Sequence, residues 1–257
     1  MTIYSWNMLY RNKELGRAFE FVSHADFDIF CFQEVPGAFL SRLQTLPYAI
    51  AYRIDSEKMF RPDSVKMYAV ILSRHPIETK GDIAFDDYTK DLSVLTRFFI
   101  TLMRPFHFSK TRNRGGLFVD VDTPSGSMRV FNLHLALTHP THRLTEFERA
   151  MAEHNPKRPS VVCGDFNSIG TRPMSLLNWL MGGRISDIFL ATRERTEIEK
   201  RFVSHSLTNA LRGSVTHPLS QSQLDHILVS HHFSIKNAFV LPDRAGSDHH
   251  PICVEVA

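Results

Sequence analysis

The sequence predicts an α/β protein folded as one large domain, and three observations carry that reading. Short apolar, β-branched or aromatic runs recur along the chain, at Thr2 to Trp6, Asp28 to Val35, Met67 to Ser73, Gly116 to Asp122, Met128 to Leu135, Ser160 to Cys163, Leu224 to Val229, Ile235 to Leu241 and Ile252 to Val256. Helical periodicity intervenes between some of these strand-like runs. No internal repeat, low-complexity tract or linker rich in Pro, Gly or Ser divides the 257 residues, a length that single sandwiches and barrels often reach.

Between the first two runs, Leu15, Ala18, Phe19 and Val22 recur at i, i+3, i+4 and i+7, so the chain opens as strand, helix, strand. A second helix is expected over Thr141 to His154, with Leu144, Phe147 and Met151 facing inward. A third has Pro173 near its start and Gly182 just after its end. Ser125-Gly126 reads as a hairpin turn between its flanking runs.

Two segments break the alternation and are expected to be insertions at a rim, where substrate choice resides: about 85–114 and 191–223. The second is polar and charged, and reads as a long connection over one end of the sheets. The first contains Val94 to Met103 with Arg97 inside it, then Arg104, Phe106, Phe108, Lys110, Arg112 and Arg114. Three readings of it stay open: a buried helix under the site, a membrane-surface contact, or a grip on a nucleic-acid strand through phosphate contacts and stacking. Arg114, next to Gly115-Gly116, is its expected substrate contact.

With 43% hydrophobic and 22% charged residues, the chain can bury an extensive core without disulfides or structural metals. A net charge of +3 permits anionic partners but is far from the footprint of a DNA-packaging protein. Cys31, Cys163 and Cys253 lie in apolar runs without metal-ligand spacing, so buried free thiols are expected. The residues as given show no basic, apolar and cleavage-site pattern before the first strand and no run approaches the length of a membrane span, so a cytoplasmic protein without a transmembrane segment is expected. No protein partner is inferable.

Polar residues interrupt the apolar runs at Asn7 (YSWN), Glu34 (FCFQE), His134 (FNLHL), Asp165 and Asn167 (VVCGDFN), Asp225 (QLDHILV) and Asp248 with His249 (GSDHHPI). Each is read as lying at or near a strand's C-terminal end. A carboxylate at the end of so apolar a strand must be desolvated, which is costly unless a cation or hydrogen bonds compensate. A hard divalent ion meets that need, because Mg²⁺ takes one or two protein carboxylates and leaves the rest of its shell to water and phosphate; Glu34 and Asp248 would suffice. His134 and His249 would suit zinc, but no Cys accompanies them and no HExxH-like spacing exists. His226 and His250 are expected to be structural. No GxSxG motif offers a competing nucleophile.

In the order WN, QE, NLHL, GDFN, LDHIL and SDHHP, spanning residues 6 to 251, the chain resembles the endonuclease/exonuclease/phosphatase superfamily. The resemblance implies the deoxyribonuclease I-like fold: two mixed β-sheets packed as a four-layer sandwich with helices on the outer faces. It also implies a metal-dependent phosphoesterase using Mg²⁺, with Mn²⁺ as an alternative, and direct attack of water on phosphorus. Glu34 would be the principal metal ligand with Asn7 beside it, and Asp248 would support a metal-bound water or a second ion. Asp165 and Asn167 would position the attacking water and a phosphate oxygen. His249, held in its tautomer by Asp225, would be the general base or a phosphate contact, and His134 would donate to phosphate or assist the leaving group. The NLHL motif points away from the exonuclease III and abasic-site branch, towards the branch of deoxyribonuclease I, sphingomyelinases, deadenylases and tyrosyl-DNA phosphodiesterases. A phosphodiesterase on nucleic acid or a phospholipid headgroup is therefore expected. The alternatives are a phosphomonoesterase on a small molecule such as an inositol or sugar phosphate, and a non-catalytic binding protein that keeps the fold.

Overall fold

Alternation along each central strand decides what the two sheets share and what their outer faces present to helices. A computed structural model describes residues 1–59, 64–86, 94, 98, 110–137, 140–171, 188–191 and 193–257. One sheet has seven strands in the order β12(Ile235–Val240), β13(Ile252–Val256), β1(Thr2–Asn7), β2(Ile29–Pro36), β4(Ser64–Ser73), β3(Ala49–Met59), β6(Lys110–Arg112). The other has six, in the order β10(Leu207–Asn209), β11(Asp225–Ser230), β9(Ser160–Asp165), β8(Gly126–His134), β7(Gly115–Thr123), β5(Ile77–Ala84). Each sheet contains one parallel pair, β1 with β2 and β8 with β9, joined through α1(Leu15–His24) and α3(Pro140–Met151); the remaining pairs are antiparallel.

Ile3, Ile29, Cys31 and Ile71 from the first sheet pack between the sheets with Val119, Val130, Val161, Cys163 and Ile227 from the second. The alternate residues point outward. Phe30 and Phe32 bury under Ala18 and Val22 of α1 and Phe39 and Leu43 of α2(Gly37–Leu43). On the opposite side Phe131, Val162 and Leu228 bury under Phe147 of α3 and Phe202 of α5(Glu194–Ser204), which follows the short α4(Ile188–Ala191). The four layers follow, and the cysteines are buried and free as expected.

The strong apolar runs, α1, the Thr123–Gly126 hairpin and the helix over Leu144, Phe147 and Met151 are found where the sequence places them. The edge elements are not. β5 is mostly exposed and polar, and β3 reads AIAYRIDSEKM, without a clean alternation of apolar residues. The segment 191–223, read as a connection, contains α5 and β10; α5 buries only Glu194, Ile198 and Phe202 of its charged length. The helix expected near Pro173 lies outside the described residues, as does most of 85–109. Val94 and Phe98 are 84% and 67% exposed, against the buried-helix reading at those two positions. Among the described residues no helix is long and apolar enough to cross a membrane.

A polar bridge crosses the sandwich between the hydrophobic centre and the end where the motif residues gather. Gln33 Nε2 donates to Asn132 Oδ1 at 2.7 Å, and Asn132 Nδ2 donates to the Phe32 and Val70 carbonyls at 2.8 and 2.9 Å. Both side chains are fully buried, so truncating one strands the other's polar atoms without water. Asn132→Ala is expected to destabilise the protein by about 2 kcal/mol, read from the urea unfolding midpoint at unchanged slope; a shift equivalent to under about 0.5 kcal/mol, the size of an ordinary surface substitution, would show that the bridge does not hold the sheets.

Candidate active site

The positions that carry apolar residues into the middle of the sandwich carry polar ones at one end of it. On β1 the inward series Ile3, Ser5 ends at Asn7; on β8 Val130, Asn132 ends at His134; on β9 Val161, Cys163 ends at Asp165. Asp225 arrives differently from the sequence reading, since it is the first residue of β11, not one near a C-terminal end. Antiparallel pairing of β11 with β9 sets it opposite Asp165. Asp248 and His249 likewise precede β13, which runs antiparallel to β1.

Backbone irregularities aim three of these residues. A β-bulge between Phe32 and Val35 leaves Glu34 at φ 54, the left-handed region that non-glycine residues rarely occupy. Such strain, of order 1–3 kcal/mol, persists where the surroundings over-determine it and concentrates at functional sites. Here Tyr10 N–H donates to Glu34 Oε2 at 3.2 Å and Glu34 N–H donates to Asp55 Oδ2 at 3.3 Å. Asn167, also left-handed at φ 51, donates its Nδ2 to the Leu135 carbonyl at 3.0 Å and its backbone N–H to Asp165 Oδ1 at 2.9 Å. Gly164 has φ +148, and a Cβ there would run into the Leu133 carbonyl, so glycine is what lets β9 approach β8 closely enough to present Asp165.

Two histidine–aspartate pairs face each other across Asp165. His249 Nδ1 lies 2.8 Å from Asp225 Oδ2, which also accepts the Thr216 hydroxyl at 2.7 Å. His134 Nδ1 lies 2.7 Å from Asp55 Oδ2. The Nε2 atoms of both rings are 3.8 Å from the same Asp165 Oδ2, and His134 Nε2 is 3.9 Å from Glu34 Oε1. Asn7 Nδ2 donates to Asp165 Oδ2 at 2.9 Å, while its Oδ1 accepts the Leu9 N–H at 3.1 Å. Asp248, half-exposed, places Oδ1 4.0 Å from His249 Nε2.

The sequence-predicted residues therefore converge, with one exception. Arg114, expected to meet substrate, is 9% exposed; it pairs with Glu146 and donates to the His134 carbonyl at 3.0 Å, bracing the end of β8. His226 stacks on Phe166 with centroids 4.7 Å apart, and His250 Nδ1 lies 2.7 Å from the Leu241 carbonyl, both structural settings. Asp55, Thr216 and His217 also reach the site, without a motif in the sequence to mark them. Asp55 sits on a polar strand whose register the sequence does not reveal, and Thr216 and His217 lie in a connection without periodicity.

The donor set suits a hard divalent cation. Glu34, Asp165 and Asp248 offer carboxylate oxygens and Asn7 an amide oxygen. Among the described residues Glu34 Oε1 receives no hydrogen bond, leaving it available to an ion in a carboxylate only 14% exposed. Two closer groupings exist among the described residues, Asp165 with Asp225 and His249, and His217 with Asp248 and His249, each with ligand atoms within 4.8 Å of one another.

A model of the Endonuclease/Exonuclease/phosphatase family matches residues 4–249. Among solved structures, the fold matches an endonuclease/exonuclease/phosphatase from Beutenbergia cavernae DSM 12333 at 17% identity and TM-score 0.69, covering 100% of this chain and 71% of that one. It also matches ANGEL2, a 2',3'-cyclic phosphatase in complex with adenosine-2',3'-vanadate, at 17% identity and TM-score 0.63, covering 99% and 94% of the two chains. The human Nocturnin catalytic domain with bound sulfate matches at 17% identity and TM-score 0.59, covering 100% and 93%. No curated protein matches by sequence. At these identities the structural likeness establishes the fold.

The carboxylates set the protonation of the metal-free site. Burial disfavours the imidazolium form of His249, but Asp225 and Asp165 outweigh it and push its pKa up to about 10. His134 is likewise opposed by burial and raised by Asp55 to about 9. Both rings are thus cations at neutral pH when no metal is bound. A histidine raised on folding contributes stability that is fully present below its unfolded value near 6.5 and is lost as pH rises through the folded value. With chelator present, the melting temperature is expected to fall between pH 6.5 and 10, and Asp225→Asn to flatten this dependence by removing the His249 part. An Asp225→Asn profile parallel to wild type would show that Asp225 does not hold the proton on His249.

Proposed function

We propose that this chain, which belongs to the endonuclease/exonuclease/phosphatase family, is a divalent-cation-dependent phosphodiesterase that directs water onto phosphorus. The family is one of phosphoesterase hydrolases. The observation that carries the finer reading is the approach of both histidine Nε2 atoms to within 3.8 Å of one Asp165 oxygen, with Glu34 3.9 Å from His134. This is an arrangement on the scale of a single phosphoryl group, lined by proton carriers on two sides and cation-binding oxygens on a third. Phosphate-ester hydrolysis needs charge neutralised at the phosphoryl oxygens and a nucleophile held in line, and little covalent chemistry from the protein.

Mg²⁺ or Mn²⁺, held by Glu34 with Asn7 beside it and supported by Asp248, would neutralise phosphoryl charge and offset the negative field that keeps the histidines protonated. Asp165, with one oxygen held by the Asn167 N–H and the other by Asn7 Nδ2, orients the attacking water. Asn167 fixes the loop that carries both residues. His249 accepts the proton from that water at Nε2, because Asp225 holds its Nδ1 as a donor. His134, its Nδ1 held by Asp55, donates from Nε2 to the phosphate or the departing oxygen. Paired proton carriers of this kind contribute about 10² to 10⁴ in rate.

The test is hydrolysis of bis(p-nitrophenyl) phosphate against p-nitrophenyl phosphate, beside DNA, RNA and sphingomyelin, with Mg²⁺, Mn²⁺ or chelator. Metal-dependent cleavage of the diester is expected, and Glu34→Gln, Asp165→Asn and His249→Ala are each expected to lower kcat by about 10² or more while leaving the fold intact. Full activity in excess chelator, or in Glu34→Gln, would remove the metal from the mechanism. Cleavage of the monoester alone would replace the diester reading with a small-molecule phosphatase.

A further inference from the structure

The connection that leads into β11 carries Thr216 and His217, and their side chains do different things. Thr216 is fully buried; its hydroxyl donates to Asp225 Oδ2 at 2.7 Å and receives the Leu224 and Asp225 backbone N–H groups at 3.0 Å each. It is part of the scaffold that fixes the Asp225–His249 pair. His217 is only partly buried. Its ring lies against the His249 ring with centroids 4.7 Å apart and planes at 41°, too inclined for simple stacking.

Hydrogen bonds decide which nitrogen of His217 carries the proton. The Ser220 backbone N–H donates to Nδ1 at 3.2 Å, and the Ser220 hydroxyl lies 2.9 Å from the same atom. A backbone N–H can only donate, so Nδ1 is the acceptor of this ring and Nε2 bears the hydrogen. The turn is pinned by a bridge between His217 and Ser222, with the His217 N–H donating to the Ser222 carbonyl at 3.2 Å. Among the described residues nothing accepts from Nε2. Yet a His217 ring nitrogen lies within 4.8 Å of ligand atoms of both the half-exposed Asp248 and the buried His249. An ordered donor with a fixed tautomer and no acceptor among the described residues, set beside a proton carrier, is free to donate to a bound ligand.

We propose that His217 is a third imidazole contact to substrate, donating from Nε2 to a non-bridging oxygen of the phosphoryl group that His249 and His134 flank. This rests on the phosphoesterase reading of the cleft, and it adds a residue whose ring is kept from acting as a base by the Ser220 N–H on its Nδ1. His217 therefore contributes to holding the phosphoryl group and not to moving its protons. Its loss would weaken ground state and transition state alike, and would appear in KM more than in kcat.

His217→Phe keeps a ring against His249 and removes the donor; His217→Gln removes the ring and keeps an N–H of similar reach. Inorganic phosphate binding in the presence of Mg²⁺ is measured by calorimetry for the wild type and both variants, beside hydrolysis of bis(p-nitrophenyl) phosphate and a melting curve for each protein. Phosphate binding is expected to weaken about tenfold in His217→Phe, the loss of one hydrogen bond to a charged acceptor. KM is expected to rise by a similar factor at nearly constant kcat, with an unchanged pH profile, and His217→Gln to recover most of the affinity. Unchanged phosphate affinity in His217→Phe would overturn the proposal, as would equal losses in the two variants, which would assign the effect to ring packing. A displaced pH profile at unchanged phosphate affinity would overturn it in favour of an action through His249. Wild type that binds phosphate but hydrolyses no ester would refute the phosphoesterase reading while the variants' phosphate affinities still decide the role of His217; wild type that binds no phosphate would refute the contact itself, whatever its activity.

Discussion

Asp165 is 1% exposed and stands between two imidazole nitrogens, each 3.8 Å away. A carboxylate so buried is sustained only where hydrogen bonds and opposite charge replace the water it has lost. Burial raises its pKa, and the neighbouring histidines pull against that rise. The same condition applies to Asp55 and Asp225, at 1% and 0% exposure. Each outer carboxylate holds one histidine by Nδ1, and each histidine turns Nε2 toward the central one. The row Asp55, His134, Asp165, His249, Asp225 alternates carboxyl and imidazole groups across the mouth of the sandwich. It draws on β3, β8, β9, β11 and the loop before β13, so the requirement to balance buried charge fixes how both sheets meet at this end.

The surrounding architecture serves that alignment. The bulge in β2 lets Gln33 stay between the sheets, bonded to Asn132, while Glu34 turns to the cleft. Asp55 couples the two features, because its Oδ2 accepts both the Glu34 N–H and the His134 ring. Behind His134 the chain is gripped by α3. Glu146 accepts the Ala136 N–H at 2.7 Å and pairs with Arg114, while Arg143 donates to the Ala136 and Leu137 carbonyls at 2.8 and 2.6 Å and pairs with Glu194 at the start of α5. These buried ion pairs gain little net stability, since desolvation offsets most of their attraction. Their consequence is positional, because they hold the Leu135 to Leu137 segment on which Asn167 leans.

Pre-organisation of this kind would let weakly nucleophilic water act without a covalent intermediate in the proposed reaction. Asp55 and Asp225 each hold the Nδ1 side of one cleft histidine and so fix the direction of its Nε2. Left-handed backbone at Glu34 and Asn167 brings a carboxylate and an amide to the same end of the sandwich.

The sequence by itself determined the β-rich α/β class, the central strands, α1, the helix over Leu144 and Phe147, and the motif residues Asn7, Glu34, His134, Asp165, Asn167, Asp225, Asp248 and His249. These were legible because a polar residue at the end of an apolar run has no local reason to be there. Only the tertiary structure decided which residues meet. Asp225 and the Asp248–His249 pair come to the cleft from the starts of strands, through antiparallel pairing that a single strand's sequence does not encode. Asp55 was invisible because β3 near the sheet edge lacks the alternation that marks a buried face, and α5 and β10 because they bury few side chains. Arg114 and His217 show the same limit from both sides. Arginine beside two glycines reads as a free cation until Glu146, distant in sequence, claims it, and a histidine in an aperiodic connection reads as nothing until folding sets it against His249. Burial and partnership are properties of pairs far apart in the chain, and local pattern carries only one member of each pair.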